Sequence, residues 1–233
     1  VKMFLQNNTI TAEMGGWELF SNSLLPMLSG AIQYTIPLTL ISFVGGLILA
    51  LILAMMRLSK TRIIQLPSII FVSAIRGTPL LVQLFIIFYG LPNIGVNLDP
   101  FISAVIAFIL NVGAYGSEII RASILSIPKG QWEAAHTIGM SRWTALRRII
   151  LPQAARVSVP PLSNSFISLV KDTSLASLVL VAELFRKAQE IAARTYDFLL
   201  LYVEAALIYW VICFILSLVQ VVIEKRLDRY VAK

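Results

Sequence analysis

The sequence predicts an all-α membrane protein with about five transmembrane helices, and three observations carry that prediction. Of 233 residues, 58% are hydrophobic and 13% are charged, with a mean hydropathy of +0.84. A soluble domain is about 45–50% apolar and about 25% charged, so this charge cannot coat a globule. The apolar residues are also gathered into runs that reach the roughly 20 residues a bilayer crossing needs. Finally, the basic residues concentrate in alternate connecting segments, as the retention of lysine and arginine on the cytoplasmic side requires. The net charge of +7 therefore reads as a statement about loops rather than about nucleic acid. The single cysteine, Cys213, excludes a disulfide framework or a cysteine metal site built from this chain alone.

Residues 1–30 are mixed, with Glu13, Glu18 and Gly15-Gly16. They lack the basic start and small-residue cleavage site of a signal peptide and are expected to form an N-terminal extracytoplasmic arm. Residues 31–233 form the transmembrane domain. Its first span runs without charge from Ala31 to Met56, and Arg57, Lys60 and Arg62 follow at once. The second, Ile63 to Leu91, is apolar apart from Gln65, Gln83 and Arg76. A turn-rich loop, with Pro92, Asn93, Gly95 and Asn97 to Pro100, leads to the third span, Phe101 to about Leu125. A polar insert occupies about 126–152. The fourth span starts among Pro152, Pro160 and Pro161 and continues from Leu162 to Leu180. A charged amphipathic stretch, Glu183 to Arg194, precedes the fifth span, Tyr196 to Ile223.

Charge sets the expected orientation. Residues 126–156 hold five basic residues and one acid, Glu133. The tail adds Lys225, Arg226, Arg229 and Lys233, whereas the arm and the 92–100 loop carry Glu13, Glu18 and Asp99 against Lys2. The N-terminus is thus expected outside, and the insert and C-terminus in the cytoplasm. The stretch 183–194 is the exception, and pairing of its bases with Glu183 and Glu190 at helical spacing would soften it. No G-x-x-x-x-G-K-S/T, H-E-x-x-H or G-x-S-x-G pattern occurs, and His136 is the single histidine. Any energised work must draw its energy from elsewhere.

The insert reads as two short helices. Glu133, Ala134 and Ala135 favour the first, Gly139 suits a left-handed terminus, and Ser141 suits the N-cap of the second. Trp132, Ala135 and Gly139 share a face of the first, low enough for another protein to approach. Trp143, Leu146 and Ile150 share a side of the second.

Glu133-Ala134-Ala135, Gly139, then Ile149, Leu151 and Pro152 match the EAA loop of ABC importer permeases without a gap. Arg76 to Gln83, Lys129 to Ala135 and Phe166 to Leu175 resemble the polar amino acid permeases. Pro160 to Ser165 with Lys171-Asp172-Thr173-Ser174-Leu175 is most similar to cystine-type permeases. The resemblance spans about Leu28 to Tyr230. It implies a type I ABC importer permease-like fold in the bacterial plasma (inner) membrane. It also implies a second permease copy or close paralogue, two ATPase subunits that hold ATP and Mg, and an extracytoplasmic amino-acid-binding protein. No cofactor and no nucleic acid are expected on this chain, and it is not itself an enzyme. The coupling residues carried over are Trp132, Glu133, Ala134, Ala135, Gly139 and Arg142. Relatives for arginine, histidine and glutamine share much of the pattern.

Polar residues inside the spans are the candidates for the substrate pathway. Intramembrane charge costs about 2.5–3.5 kcal/mol on insertion scales and usually faces protein or water. Arg76 lies roughly 21 Å along a helix from Arg62. It either meets a substrate carboxylate or pairs with Glu118 or Asp172. Gln83 belongs to the same apolar region. Asn111 and Glu118 share a face of the third span, and Glu118 either meets an ammonium group or pairs with Arg121. Asn164, Ser168 and Lys171/Asp172 form one polar stripe on the fourth span. That stripe lines a route for a zwitterion or bonds to another subunit. Two rival functions remain at this point. A stand-alone ion-coupled transporter would be expected to show an internal repeat, and none is visible. A receptor scaffold would use the polar stripe as an assembly surface.

Overall fold

A computed structural model describes residues 15–228, with side chains through Arg226, and every regular element among them is helical. We number eight helices: α1 Gly16–Arg57, α2 Arg62–Arg76, α3 Leu80–Ile94, α4 Pro100–Leu125, α5 Lys129–Thr137, α6 Arg142–Val179, α7 Leu184–Thr195 and α8 Phe198–Asp228. Helices α1, α4 and α8 are each long and apolar enough to cross a membrane. The bent pairs α2–α3 and α6–α7, with angles of 103° and 48°, bring the candidate crossings to five when each pair counts as one broken span.

Three of these helices contain one π turn each, at Ala31–Thr35, Ile86–Gly90 and Leu146–Ile150. Each is followed two residues later by a proline, namely Pro37, Pro92 and Pro152. A proline ring meets the carbonyl four residues earlier, and here those carbonyls belong to Gln33, Phe88 and Arg148. Each is the central residue of its π turn. The widened turn gives the ring room and lets the helix continue.

The chain enters α1 earlier than its hydropathy indicates. Residues 16–30, expected within the arm, are helical and continuous with the first span. Leu19, Ser23, Met27 and Gly30 recur on one face and are buried. Leu19 and Met27 pack with Leu184, Ala188, Leu201 and Ala205 of α7 and α8. At about 1.5 Å per residue, α1 is roughly twice as long as a hydrocarbon core of about 30 Å, so one end stands beyond it. The remainder of the arm, 1–14, lies outside the described residues.

Small residues let α1 and α4 approach closely. A Cβ on Gly46 would lie 2.5 Å from Val112, and one on Gly113 would lie 2.6 Å from Leu49. The main core sits beside this contact, with Leu38, Leu84, Phe108, Leu169 and Val179 buried together.

Between α2 and α3 the backbone breaks at Gly77-Thr78-Pro79. A Cβ on Gly77 would fall 2.8 Å from the Ser73 carbonyl, so the tight turn needs glycine. Gln83 is buried beneath the break. Its Nε2 donates to the carbonyl of Ile75 at 2.7 Å, to the carbonyl of Thr78 at 3.1 Å and to Thr78 Oγ1 at 2.9 Å. One amide thus satisfies a carbonyl at the end of α2 and another within the interruption.

Helix α7 explains the charged stretch. Leu184, Ala188 and Ala192 face inward, while Glu190 accepts from Arg186 at 3.3 Å and Lys187 at 3.2 Å. Glu183 does not pair with these bases, contrary to the sequence expectation. It is fully buried and caps α7, accepting from the amides of Phe185 at 2.9 Å and Arg186 at 2.6 Å and from Tyr209 Oη at 2.7 Å. The Leu184 amide donates to Thr35 Oγ1 at 3.3 Å, so α1, α7 and α8 meet at one polar knot. Nearby, Ser23 Oγ donates to the buried Glu204 of α8 at 2.5 Å.

Two stability predictions follow from the close contacts. Gly46→Val should destabilise the detergent-solubilised protein by roughly 1–3 kcal/mol through overpacking. Gly130→Ala, which meets nothing within 4 Å, should stay within about 0.5 kcal/mol; thermal unfolding compares them. Gln83→Leu should widen the spin-label distance distribution between positions Ile70 and Ile86, both exposed, across the break. An unchanged distribution would remove the clamp role.

Candidate functional site

The insert is folded by its own hydrogen bonds. Helix α5 begins after Pro128 and ends at Gly139, which takes φ +77°. The Gly139 amide donates to the His136 carbonyl at 2.9 Å, and the Met140 amide reaches the Ala135 carbonyl at 3.0 Å. This is the paired closure of a Schellman motif, which favours glycine at the left-handed position. Ser141 then caps α6, its Oγ accepting from the Thr144 amide at 3.2 Å. The bend is therefore fixed at Gly139 to Ser141, where the sequence placed it.

The elbow's inner side is rooted in the bundle. Ala135 is buried, and the half-buried Trp132 packs among Ala54, Ile124, Ile127 and Ile150 from α1, α4, the α4–α5 loop and α6. The Arg142 guanidinium lies over the Trp132 ring, 5.9 Å from its centroid. The sequence reading offered Trp132 and Ala135, with Gly139, to an approaching partner. The structure instead turns Trp132 and Ala135 inward, because the nearest apolar surface for them is their own chain's spans. Glu133, Ala134 and Gly139 remain exposed, with Ile138 at 74%. Trp143, expected beside Leu146 and Ile150, also remains open at 64%. Ile138 was missed; an isoleucine outside the helix's apolar face, just before a left-handed glycine, was the available signal.

Glu118 sits in an ion cluster that joins two spans. It accepts from Arg121 on its own helix and from Arg57 at the end of α1. Gln65 Nε2 donates to the Arg57 carbonyl at 3.1 Å and ties α2 to the same point. Sequence reasoning found Arg121 by spacing but not Arg57, which is 61 positions away. The cluster carries two cations and one carboxylate.

Arg76 joins neither Glu118 nor Asp172, so the expected ion pair does not form. It is exposed, and its guanidinium lies over Tyr115 of α4, 5.3 Å from the ring centroid. The Nε2 donors of Gln83 are committed to the helix break rather than offered to a solute. Asn111 is half-buried on α4.

On α6, Asn164, Ser168 and Lys171 are all exposed along one face, and Asp172 is half-buried. Asn164 Oδ1 accepts from Gln220 Nε2 of α8 at 3.1 Å. Lys171 lies with Ser174, Tyr209 and Cys213 along a groove of about 520 Å³. Neither Lys171 nor Asp172 joins an ion pair among the described residues. The arrangement offers a cation and a carboxylate side by side on a face that the rest of the chain leaves open. Among the described residues no three of His, Cys, Asp or Glu gather as a metal site.

Residues 46–229 match the family model described as binding-protein-dependent transport system inner membrane component. The chain is 67% identical to the L-cystine transport system permease protein TcyB of Bacillus subtilis, over 99% of this chain and 100% of that protein. It is 37% identical to the glutamine transport system permease protein GlnP of Escherichia coli, over 87% of this chain and 94% of that one. The crystal structure of an amino acid ABC transporter with histidines superposes with a TM-score of 0.82 at 37% identity, covering 86% of this chain and 94% of that chain. The MetNI methionine ABC transporter in an inward-facing form shares the fold at a TM-score of 0.68 and 17% identity, over 90% and 96% of the two chains. The chain belongs to the family of inner membrane components of binding-protein-dependent transport systems, as an ABC importer permease of the polar amino acid type.

Proposed function

We propose that this chain carries L-cystine across the membrane as the permease subunit of an ATP-driven importer, in a pair with a second permease chain. An extracytoplasmic binding protein delivers the solute, and two cytoplasmic ATPase subunits hold ATP with Mg. The 67% identity to the L-cystine permease of Bacillus subtilis over the full length carries the choice of solute. The chain faces the ATPase with its basic insert and C-terminal tail, and its N-terminus is outside.

The geometry supports a lever. A bend closed by backbone bonds at Gly139 and by the Ser141 cap resists flexing. Trp132 roots it against the ends of three spans, so a displacement of its exposed side moves those spans. Glu133, Ala134, Gly139 and Ile138 form that exposed side. The Arg57–Glu118–Arg121 cluster ties α1 to α4, so the two shift together. ATP-driven closure of the ATPase dimer then switches the permease pair between outward and inward openings. On α6, Lys171 meets a carboxylate of the solute and Asp172 its ammonium, with Asn164 and Ser168 lining the approach.

Gly139→Leu forces a left-handed leucine at a cost of about 1–2 kcal/mol in the bend alone, and Glu133→Lys reverses the charge on the docking side. Both variants should insert normally yet lose at least tenfold in binding-protein-dependent cystine uptake by proteoliposomes. Wild-type uptake in both would sink the lever. Asn164→Leu and Lys171→Gln should reduce solute-stimulated ATPase activity more than basal activity, and equal losses would assign the stripe to folding. The same assay with glutamine, arginine and histidine tests the choice of solute. Uptake driven by an ion gradient without the ATPase would replace the whole reading.

A further inference from the structure

A groove of about 940 Å³ opens between the elbow and the membrane ends of α1 and α4. Its walls include Leu58, Ile127, Trp132 and Trp143, and Lys129 and Arg142 stand on its lining. Glu133 is the one acid there, and His136 also borders it. Exposed Lys60, Arg62, Arg147 and Arg148 lie on the segments that flank it. The groove is thus apolar within and basic at the edge, and it lies where spans give way to a polar loop. Tryptophan is enriched at that level of a bilayer, and basic pockets there suit anionic headgroups. Its wall continues onto Leu125, which is 59% exposed on the span itself.

We infer that this groove holds an anionic phospholipid, with an acyl chain against Leu58, Ile127 and the tryptophans and the phosphate between Lys129 and Arg142. Charge complementarity and continuity with the lipid-facing surface favour a lipid over a protein segment. The elbow would then rest on a lipid as well as on its own spans, and the composition of the leaflet would set how firmly it is seated. The inference rests on the proposed orientation only for which leaflet supplies the lipid.

The test uses the permease–ATPase complex in nanodiscs of equal phosphatidylglycerol and phosphatidylethanolamine. Native mass spectrometry should show phosphatidylglycerol retained in preference, and Lys129→Glu or Trp143→Ala should each reduce that retention at least threefold. A photo-crosslinking residue at position 143 should capture lipid. Equal retention of the two lipids, or retention unchanged in both variants, overturns the inference. So does capture of the ATPase subunit at position 143. Because both leaflets of the nanodisc contain both lipids, retention is independent of orientation. Loss of cystine-stimulated turnover with lipid preference intact would instead count against the transport reading.

Discussion

A chain that crosses hydrocarbon must satisfy its backbone from within, because no water is present to do it. Several irregularities in the fold show how this need is met. Three prolines that would break a helix are met by π turns centred on the residues their rings approach. The break after α2 is met by the amide of Gln83. The amides that open α7 are met by Glu183 and Thr35. A buried carboxylate is a costly cap, and Glu183 is retained because three donors converge on it, one of them from α8. The Gln83 and Glu183 sites also fasten one helix to another.

The same economy of backbone bonds shapes the elbow, but with a different result. At the break after α2 a side chain from the following helix closes the gap, so the geometry depends on packing. At Gly139 the closing bonds are local, from Gly139 and Met140 to the preceding turn. The elbow can hold its shape whether or not its outer side is covered. Its position, in contrast, depends on Trp132, which packs against the cluster of Ala54, Ile124 and Ile150. Local bonds fix the form and tertiary packing fixes the placement, the division that the proposed lever needs.

Features set by local chemistry were legible in the sequence. The crossings followed from hydropathy, Gly139 from its need for positive φ, and Ser141 from its capping role. Features set by distant partners were not legible. The start of α1 was obscured because Gly16–Gly30 is held by packing on α7 and α8, and its composition alone is mixed. Arg57 was read as a loop charge because its partner Glu118 is on another helix. Trp132 and Ala135 were correctly placed on one face, yet a helical period cannot say whether that face turns to its own chain or to a stranger. Arg76 was given either a substrate carboxylate or a partner in Glu118 or Asp172, whereas within the chain an aromatic ring on α4 meets it.

The charges divide into those the fold consumes and those it leaves open. Glu118, Glu183 and Glu190 have partners within the chain, and Glu204 accepts from Ser23. The exposed face of α6 is different, since Asn164, Ser168 and Lys171 lie along it in a segment that is half of a candidate broken span. Facing lipid at mid-span, a lysine alone costs about 2.5–3.5 kcal/mol. The apolar, exposed surfaces of α8 carry no such cost and suit lipid directly. A polar stripe on one span beside an apolar span therefore distinguishes two surroundings for two faces of one bundle. The first needs water or another protein, and the proposed second permease chain would supply both. That contrast supports the proposal that the chain forms half of a pathway, with Lys171 on the half it contributes.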